Sequence, residues 1–159
     1  MEARLNYAGN AMAMKLVKSI NSAGKVLHDS SLPTATQELV KLRASQINGC
    51  AFCTDMHIKD ALAAGESQQR INLVAVWRES PVFTDAERAA LELAEQGTRI
   101  ADAAGGVTDE AWQNAAKYYD VDQLMALVGV IGLINLYNRF NVITQSPPAT
   151  TSRVSSAES

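Results

Sequence analysis

Residues 34–64, TATQELVKLRASQINGCAFCTDMHIKDALAA, contain the pattern that decides the fold class of this chain. The first four letters have the spacing of a helix capping box, which predicts a helix over 35–47. An Asn-Gly pair then interrupts the pattern, and Asn48 is a favourable N-cap for a second helix. That helix contains both cysteines and should end near Ala64, where a glycine follows. The segment therefore predicts two consecutive helices joined by a short turn.

The rest of the chain repeats this helical pattern, with capping residues, runs of Ala, Leu, Met, Glu and Gln, and almost no β-branched alternation. Further helices are predicted from about Asn6 to Leu27, from Ser67 to near Trp77, from Thr84 to about Ala103, from Thr108 to about Tyr118, and from Val121 to about Val142. We expect a single all-α domain over residues 1–144, with about six or seven helices. Residues 145–159 are rich in Ser, Thr and Pro, which predicts a disordered tail.

Composition excludes several classes of function. The chain has 159 residues, 47% of them hydrophobic, and its net charge is −3 with no cluster of Lys and Arg, so no nucleic-acid partner is expected. No phosphate-binding glycine loop occurs, and no cofactor is expected. The N-terminus lacks the pattern of a secretory signal, which predicts a cytoplasmic protein.

The most apolar segment lies near the C-terminus. Its core, Leu124–Ile134, has eleven residues without a polar side chain. A membrane span needs about 18 or more, so we expect a central buried helix and no membrane partner. Gly129 and Gly132 within it should let a neighbouring helix approach closely.

Cys50, Cys53 and His57 form the pattern with the clearest chemistry. On a helix that advances about 100° per residue, their side chains fall within an arc of about 60°. Residues three apart on a helix have Cα atoms about 5 Å apart, within the range that a disulfide tolerates. His57 follows Cys53 by one turn and can serve it as a base, and Glu38 on the preceding helix is the candidate that orients the imidazole.

Three stretches of the chain resemble a known family. They are ELVKLRASQINGCAFCTDMH at 38–57, WRESPVFTDAERAAL at 77–91 and, more loosely, NLYNRFN at 135–141. They resemble the AhpD-like alkylhydroperoxidases of the carboxymuconolactone decarboxylase superfamily. The resemblance implies an AhpD-like helical bundle that assembles as a trimer or hexamer, in which one cysteine attacks a hydroperoxide and the other resolves the sulfenic acid as a disulfide.

The resemblance also assigns site residues. Glu38, Cys50, Cys53 and His57 match the family's motif positions. Well-studied members carry a second histidine between the cysteines where this chain has Phe52, which the helical spacing places away from the sulfur face. Carboxymuconolactone decarboxylases lack the cysteine pair, so that activity is not expected.

These patterns predict a thiol-dependent peroxidase that reduces hydrogen peroxide or small organic hydroperoxides and is regenerated by an external dithiol. His57, with Glu38 behind it, would deprotonate Cys53, although the helix dipole favours Cys50 as the attacking thiolate. The alternatives are a thiol-disulfide relay or redox sensor, a structural zinc site using the cysteines and the histidine, and a non-catalytic helical protein whose cysteines only pack. Asn135, Asn138 and Arg139 could line the site or cross a subunit interface.

Overall fold

The computed structural model describes residues 2–5, 7, 9–103 and 105–148, and within them it contains helices and no strand. The helices are α1 (Ala11–His28), α2 (Thr34–Ile47), α3 (Ala51–Ala63), α4 (Gln68–Leu73), α5 (Asp85–Thr98), α6 (Asp109–Ala115) and α7 (Val121–Thr144). A short 3-10 helix, Val74–Glu79, continues α4. The all-α prediction is confirmed.

Several helices are shorter than the sequence pattern indicates. Asn10 caps α1, which therefore begins later than predicted, and α5 ends at Thr98 because the backbone leaves the helical region at Arg99. Helix α7, by contrast, extends past the predicted end to Thr144, and Gln145, which follows it, adopts a left-handed conformation. Of the predicted tail, residues 149–159 lie outside the described part of the chain.

The capping box predicted at the start of α2 does not form. Pro33 is the N-cap, and the Gln37 side chain is fully buried and donates instead to the carbonyl oxygens of Leu27 and Leu32. The carbonyls at the end of a helix lack intrahelical donors, so an amide that satisfies one of them stabilises the junction. Gln37 thereby ties the end of α1 to α2. The helix starts predicted at Ser67, Thr84 and Thr108 are confirmed. Each of these side chains caps its helix, and Thr84 forms a capping box with Glu87.

The core is built around α2, which packs against α3, α5 and α7. The prediction that α7 is the central buried helix is wrong, because only one of its faces is covered. Leu127 and Val130 are buried on that face, whereas Val121 is 80% exposed and Met125 is 67% exposed. A helix that is apolar on every side carries no sequence signal that distinguishes its covered face from its open one.

Close packing between α1 and α7 depends on one of the two glycines singled out in the sequence. A Cβ atom at Gly129 would lie 2.6 Å from Leu27 Cδ2, whereas one at Gly132 would meet no atom within 4 Å. Among the described residues, α7 has the length and hydropathy of a membrane span, a weak indication because core helices of soluble proteins meet the same criteria.

Candidate active site

The turn between α2 and α3 places Cys50 at the N-cap of α3, not inside the helix. Asn48 ends α2, Gly49 has a φ of 66°, and Cys50 is extended. The Sγ of Cys50 accepts a hydrogen bond of 3.2 Å from the backbone N–H of Cys53, which is the bond that a capping side chain makes. The prediction that Asn48 caps α3 is therefore wrong.

Helix α7 explains why Asn48 does not cap α3. The Asn48 amide donates to the side-chain oxygens of Asn135 at 2.9 Å and Asn138 at 2.8 Å. Asn138, which is fully buried, also donates to the Ser45 hydroxyl, so the turn before Cys50 is attached to α7 through side-chain amides. Asn135 and Asn138 therefore hold the turn that precedes Cys50, which we call the cysteine turn.

Cys50 and Cys53 are joined in a disulfide, with Cα atoms 5.4 Å apart. Both are buried, at 2% and 0% exposure, and they pack with Ala44 and Ile134. Phe52 is half-buried and packs against the same cluster.

The side chains of Glu38 and His57 are in direct contact. Glu38 Oε2 lies 2.8 Å from His57 Nδ1, and both residues are buried. Lys41 Nζ contacts the other carboxylate oxygen at 2.7 Å. Burial alone would raise the pKa of Glu38, but the hydrogen bond from His57 and the charge of Lys41 outweigh it and lower that pKa below its ordinary value.

The ionisation of Glu38 determines the tautomer of His57. A carboxylate can only accept hydrogen bonds, so the proton of a neutral imidazole resides on Nδ1. The Nε2 atom is then left as the basic nitrogen. This is the arrangement in which a carboxylate orients a histidine for proton transfer.

Asn141 is a site residue that the sequence analysis missed. Its Nδ2 donates to Cys53 Sγ at 3.3 Å, although the two residues lie 88 positions apart. Asn141 is the last residue of the NLYNRFN segment, but its distance along the chain from the cysteines does not indicate a contact. An amide donor next to sulfur favours its charged form over the neutral thiol.

A cavity of about 410 Å³ opens between α1, α3 and α7, and its wall includes His57 and Asn141. The remaining wall is mostly aromatic and aliphatic, formed by Tyr7, Val17, Asn21, Gly24, Leu27, Lys41, Phe52, Met56, Val130, Leu133, Ile134, Tyr137 and Phe140. The cavity thus adjoins Asn141, which contacts Cys53, and His57, which follows Cys53 by one helical turn. Its apolar wall with a few polar groups is typical of a small-molecule pocket.

The described residues contain one group of side chains that could hold a metal ion, and its geometry is unfavourable. Within the described residues, Glu38, His57 and Asp60 have ligand atoms within 4.8 Å of one another. Asp60 is exposed, however, and the Lys41 ammonium contacts the Glu38 carboxylate from the other side. The disulfide also occupies both sulfurs, which bind zinc as thiolates. The zinc alternative therefore receives no support from this geometry.

The fold and the disulfide together define an all-helical, AhpD-like protein with a Cys-x-x-Cys pair. The carboxymuconolactone decarboxylase family matches the chain over residues 15–96, and the chain belongs to this family. Two uncharacterized proteins are relatives. YdfG of Bacillus subtilis is 39% identical over 80% of this chain and 84% of that protein. YnjA of Escherichia coli is 34% identical over 74% of this chain and 63% of that protein.

Solved structures agree with this assignment. ATU0492 of Agrobacterium tumefaciens, a protein of unknown function and a candidate antioxidant defence protein AhpD, is 38% identical and superposes with a TM-score of 0.87, covering 94% of this chain and 99% of that one. The debrominase Bmp8 superposes with a TM-score of 0.74 at 19% identity, covering 84% of this chain and 71% of that one. At such low identity Bmp8 is evidence for the fold alone.

Proposed function

We propose that the chain is a thiol-dependent peroxidase that reduces hydroperoxides through a dithiol–disulfide cycle of Cys50 and Cys53. One observation carries the proposal: Cys53 lies one helical turn before a buried histidine that contacts a carboxylate, and its sulfur accepts an amide hydrogen bond. Catalytic thiols need these elements, namely a base, a group that orients the base, and a donor that stabilises the thiolate.

In the proposed cycle His57 takes the Cys53 proton on Nε2, and the thiolate attacks the terminal peroxide oxygen. A sulfur–oxygen bond forms as the O–O bond breaks, and the leaving alkoxide takes a proton from His57 to become an alcohol. The Cys50 thiol then attacks the sulfenic acid, water leaves, and the disulfide forms. The hydroperoxide gains two electrons and the dithiol loses two. An external dithiol restores both thiols by exchange.

Cys53 is the proposed attacking residue for two reasons. Asn141 donates a hydrogen bond to its sulfur, and His57, one helical turn later, is its candidate base. Cys50, by contrast, caps α3, and its sulfur accepts a hydrogen bond from the backbone N–H of Cys53 in the first turn of that helix. A helix N-terminus stabilises negative charge, so Cys50 suits the role of a resolving thiol that is itself readily ionised.

We also propose a cytoplasmic homo-oligomer, a trimer or a hexamer, that uses no bound cofactor. The open faces of α1 and α7 support oligomerisation, since Met12, Val26, Val121 and Met125 are all at least 67% exposed. Exposed apolar surface, where it is contiguous, is typical of association sites in soluble proteins. Sedimentation analysis at several protein concentrations measures the subunit number, and a monomer throughout would contradict the proposal.

Alkylation followed by mass spectrometry tests the redox cycle. Reduced protein should carry two alkyl groups, and one equivalent of hydrogen peroxide or cumene hydroperoxide should abolish both by forming the disulfide. Unreactive thiols, or thiols that neither peroxide oxidises, would refute the peroxidase. Disulfide formation by dithiol exchange with negligible peroxide reactivity would instead identify a relay or sensor.

Two matched variants test the order of attack. Cys50→Ser protein treated with limiting peroxide should accumulate a sulfenic acid on Cys53, which dimedone traps. Cys53→Ser protein should remain unoxidised under the same conditions. The reverse result would make Cys50 the attacking residue.

A further inference from the structure

We infer that Phe52 is a specificity-determining residue, whose ring in the wall of the cavity beside His57 makes the site selective for bulky, uncharged peroxides over hydrogen peroxide. This inference rests on the proposed peroxidase function and names a residue that sets its specificity. It concerns a residue at which this chain departs from the histidine that its sequence resemblance implies.

The cavity is much larger than a molecule of hydrogen peroxide. Its volume is about 410 Å³, whereas a water-sized molecule occupies about 30 Å³ in the liquid. Hydrogen peroxide would leave most of this volume empty and contact few of its walls. A hydroperoxide with an aryl or branched alkyl body fills far more of the space and gains from burying apolar surface.

Several polar groups in the wall of the cavity are already paired within the protein. Apart from the candidate base His57, the charged residue in the wall is Lys41. The ammonium of Lys41 is paired with the Glu38 carboxylate. The hydroxyl of Tyr7 contacts the backbone oxygen of Phe140, and that of Tyr137 contacts Asn21. These polar groups are engaged within the protein, so the wall favours an uncharged apolar body over a carboxylate or phosphate.

Phe52 lies between the cavity and the cluster of residues around the cysteines. It lines the cavity and also packs against the cluster that contains both cysteines and Ile134. An aromatic ring there gives this part of the cavity wall an apolar surface. A bound body that contacts this ring would hold its hydroperoxide group near His57 and Asn141, where the thiolate can reach the terminal oxygen.

The opposite wall offers a separate way to fill the cavity. Gly24 of α1 lines it, and a Cβ atom there would lie 3.5 Å from Leu133 Cδ2, an ordinary van der Waals contact. Gly24→Leu therefore reduces the volume without a backbone clash, and leucine is a better helix former than glycine. Trp112 of α6 lies outside the cavity and is partly exposed, so Trp112→Ala is a matched control for aromatic truncation.

Single-turnover oxidation of the reduced full-length protein tests the inference without a knowledge of the reductant. The second-order rate constants for thiol loss are measured with cumene hydroperoxide and with hydrogen peroxide. We expect the ratio of the two constants to favour cumene hydroperoxide, and to fall about tenfold in Phe52→Ala and in Gly24→Leu, the effect of an altered hydrophobic contact. Trp112→Ala should keep the wild-type ratio.

Binding of the product, cumyl alcohol, to the disulfide form gives a readout independent of turnover. Calorimetry should show binding to wild type and to Trp112→Ala, and affinity about tenfold weaker in Gly24→Leu and Phe52→Ala. The inference would be overturned if peroxides oxidise the protein but neither cavity variant changes the ratio of rate constants or the affinity for cumyl alcohol. The proposed peroxidase function would then still stand. Wild-type thiols inert to both peroxides would overturn the proposed function itself.

Discussion

The buried contact between Glu38 and His57 should be worth far more than a surface ion pair, and a double-mutant cycle measures the difference. Both side chains are almost fully buried, and their atoms lie 2.8 Å apart. Glu38→Leu leaves the imidazole N–H without a partner, which costs about 1–3 kcal/mol, and His57→Leu removes a donor from a buried carboxylate. Because the double variant removes both groups, we expect a coupling energy of about 1.5–3 kcal/mol, the range for hydrogen bonds to charged groups.

Urea unfolding of the disulfide form at pH 7 supplies the four free energies. The control is the pair Asp55 and Lys59, also on α3, whose atoms lie 2.6 Å apart but whose side chains are 35% and 50% exposed. A cycle through Asp55→Ala and Lys59→Ala should give about 0.3–0.5 kcal/mol, as for exposed helical pairs. A buried pair that couples no more strongly than this control would refute the assignment of Glu38 as the residue that holds His57.

Three further predictions concern stability. Gly129→Val should cost about 1–3 kcal/mol in urea unfolding because the new side chain overlaps Leu27, whereas Gly132→Ala should be neutral or stabilising by up to about 1 kcal/mol; equal shifts would contradict the packing. Asn138→Leu should cost about 1–3 kcal/mol by leaving the partners of its amide unpaired, and should speed disulfide reduction by dithiothreitol; an unchanged rate would show that this network does not hold the cysteine turn. The lowered pKa of Glu38 adds stability that is present above its unfolded pKa of about 4.3 and is lost as pH falls through the folded value, so Glu38→Gln should flatten the decline of unfolding free energy below about pH 5.

Local sequence patterns determined the helices and the chemical identity of the site. Capping signals such as Thr84 with Glu87 depend on atoms three residues apart, and they operate in the structure as predicted. The spacing of the cysteines likewise requires only one turn of chain to bring them into disulfide range. These features involve neighbours along the chain, so the sequence contains the information directly.

Tertiary structure decided how the turn before α3 is used and what surrounds the sulfurs. Asn48 had two favourable roles, a helix cap or a partner for distant amides, and its contacts to Asn135 and Asn138 on α7 selected the second. Cys50 became the cap in its place. Asn141 reached Cys53 across 88 residues for the same reason, because α7 packs beside the cysteine turn.

The sequence by itself therefore determined the all-α class, most of its helix starts and the cysteine, histidine and glutamate types of the candidate site. Only the packed structure decided which face of α7 is covered, that Phe52 borders a cavity, and which amide contacts Cys53. The physical reason is range: capping and helical spacing act over a few residues, whereas burial and side-chain hydrogen bonds between α3 and α7 depend on how distant segments pack.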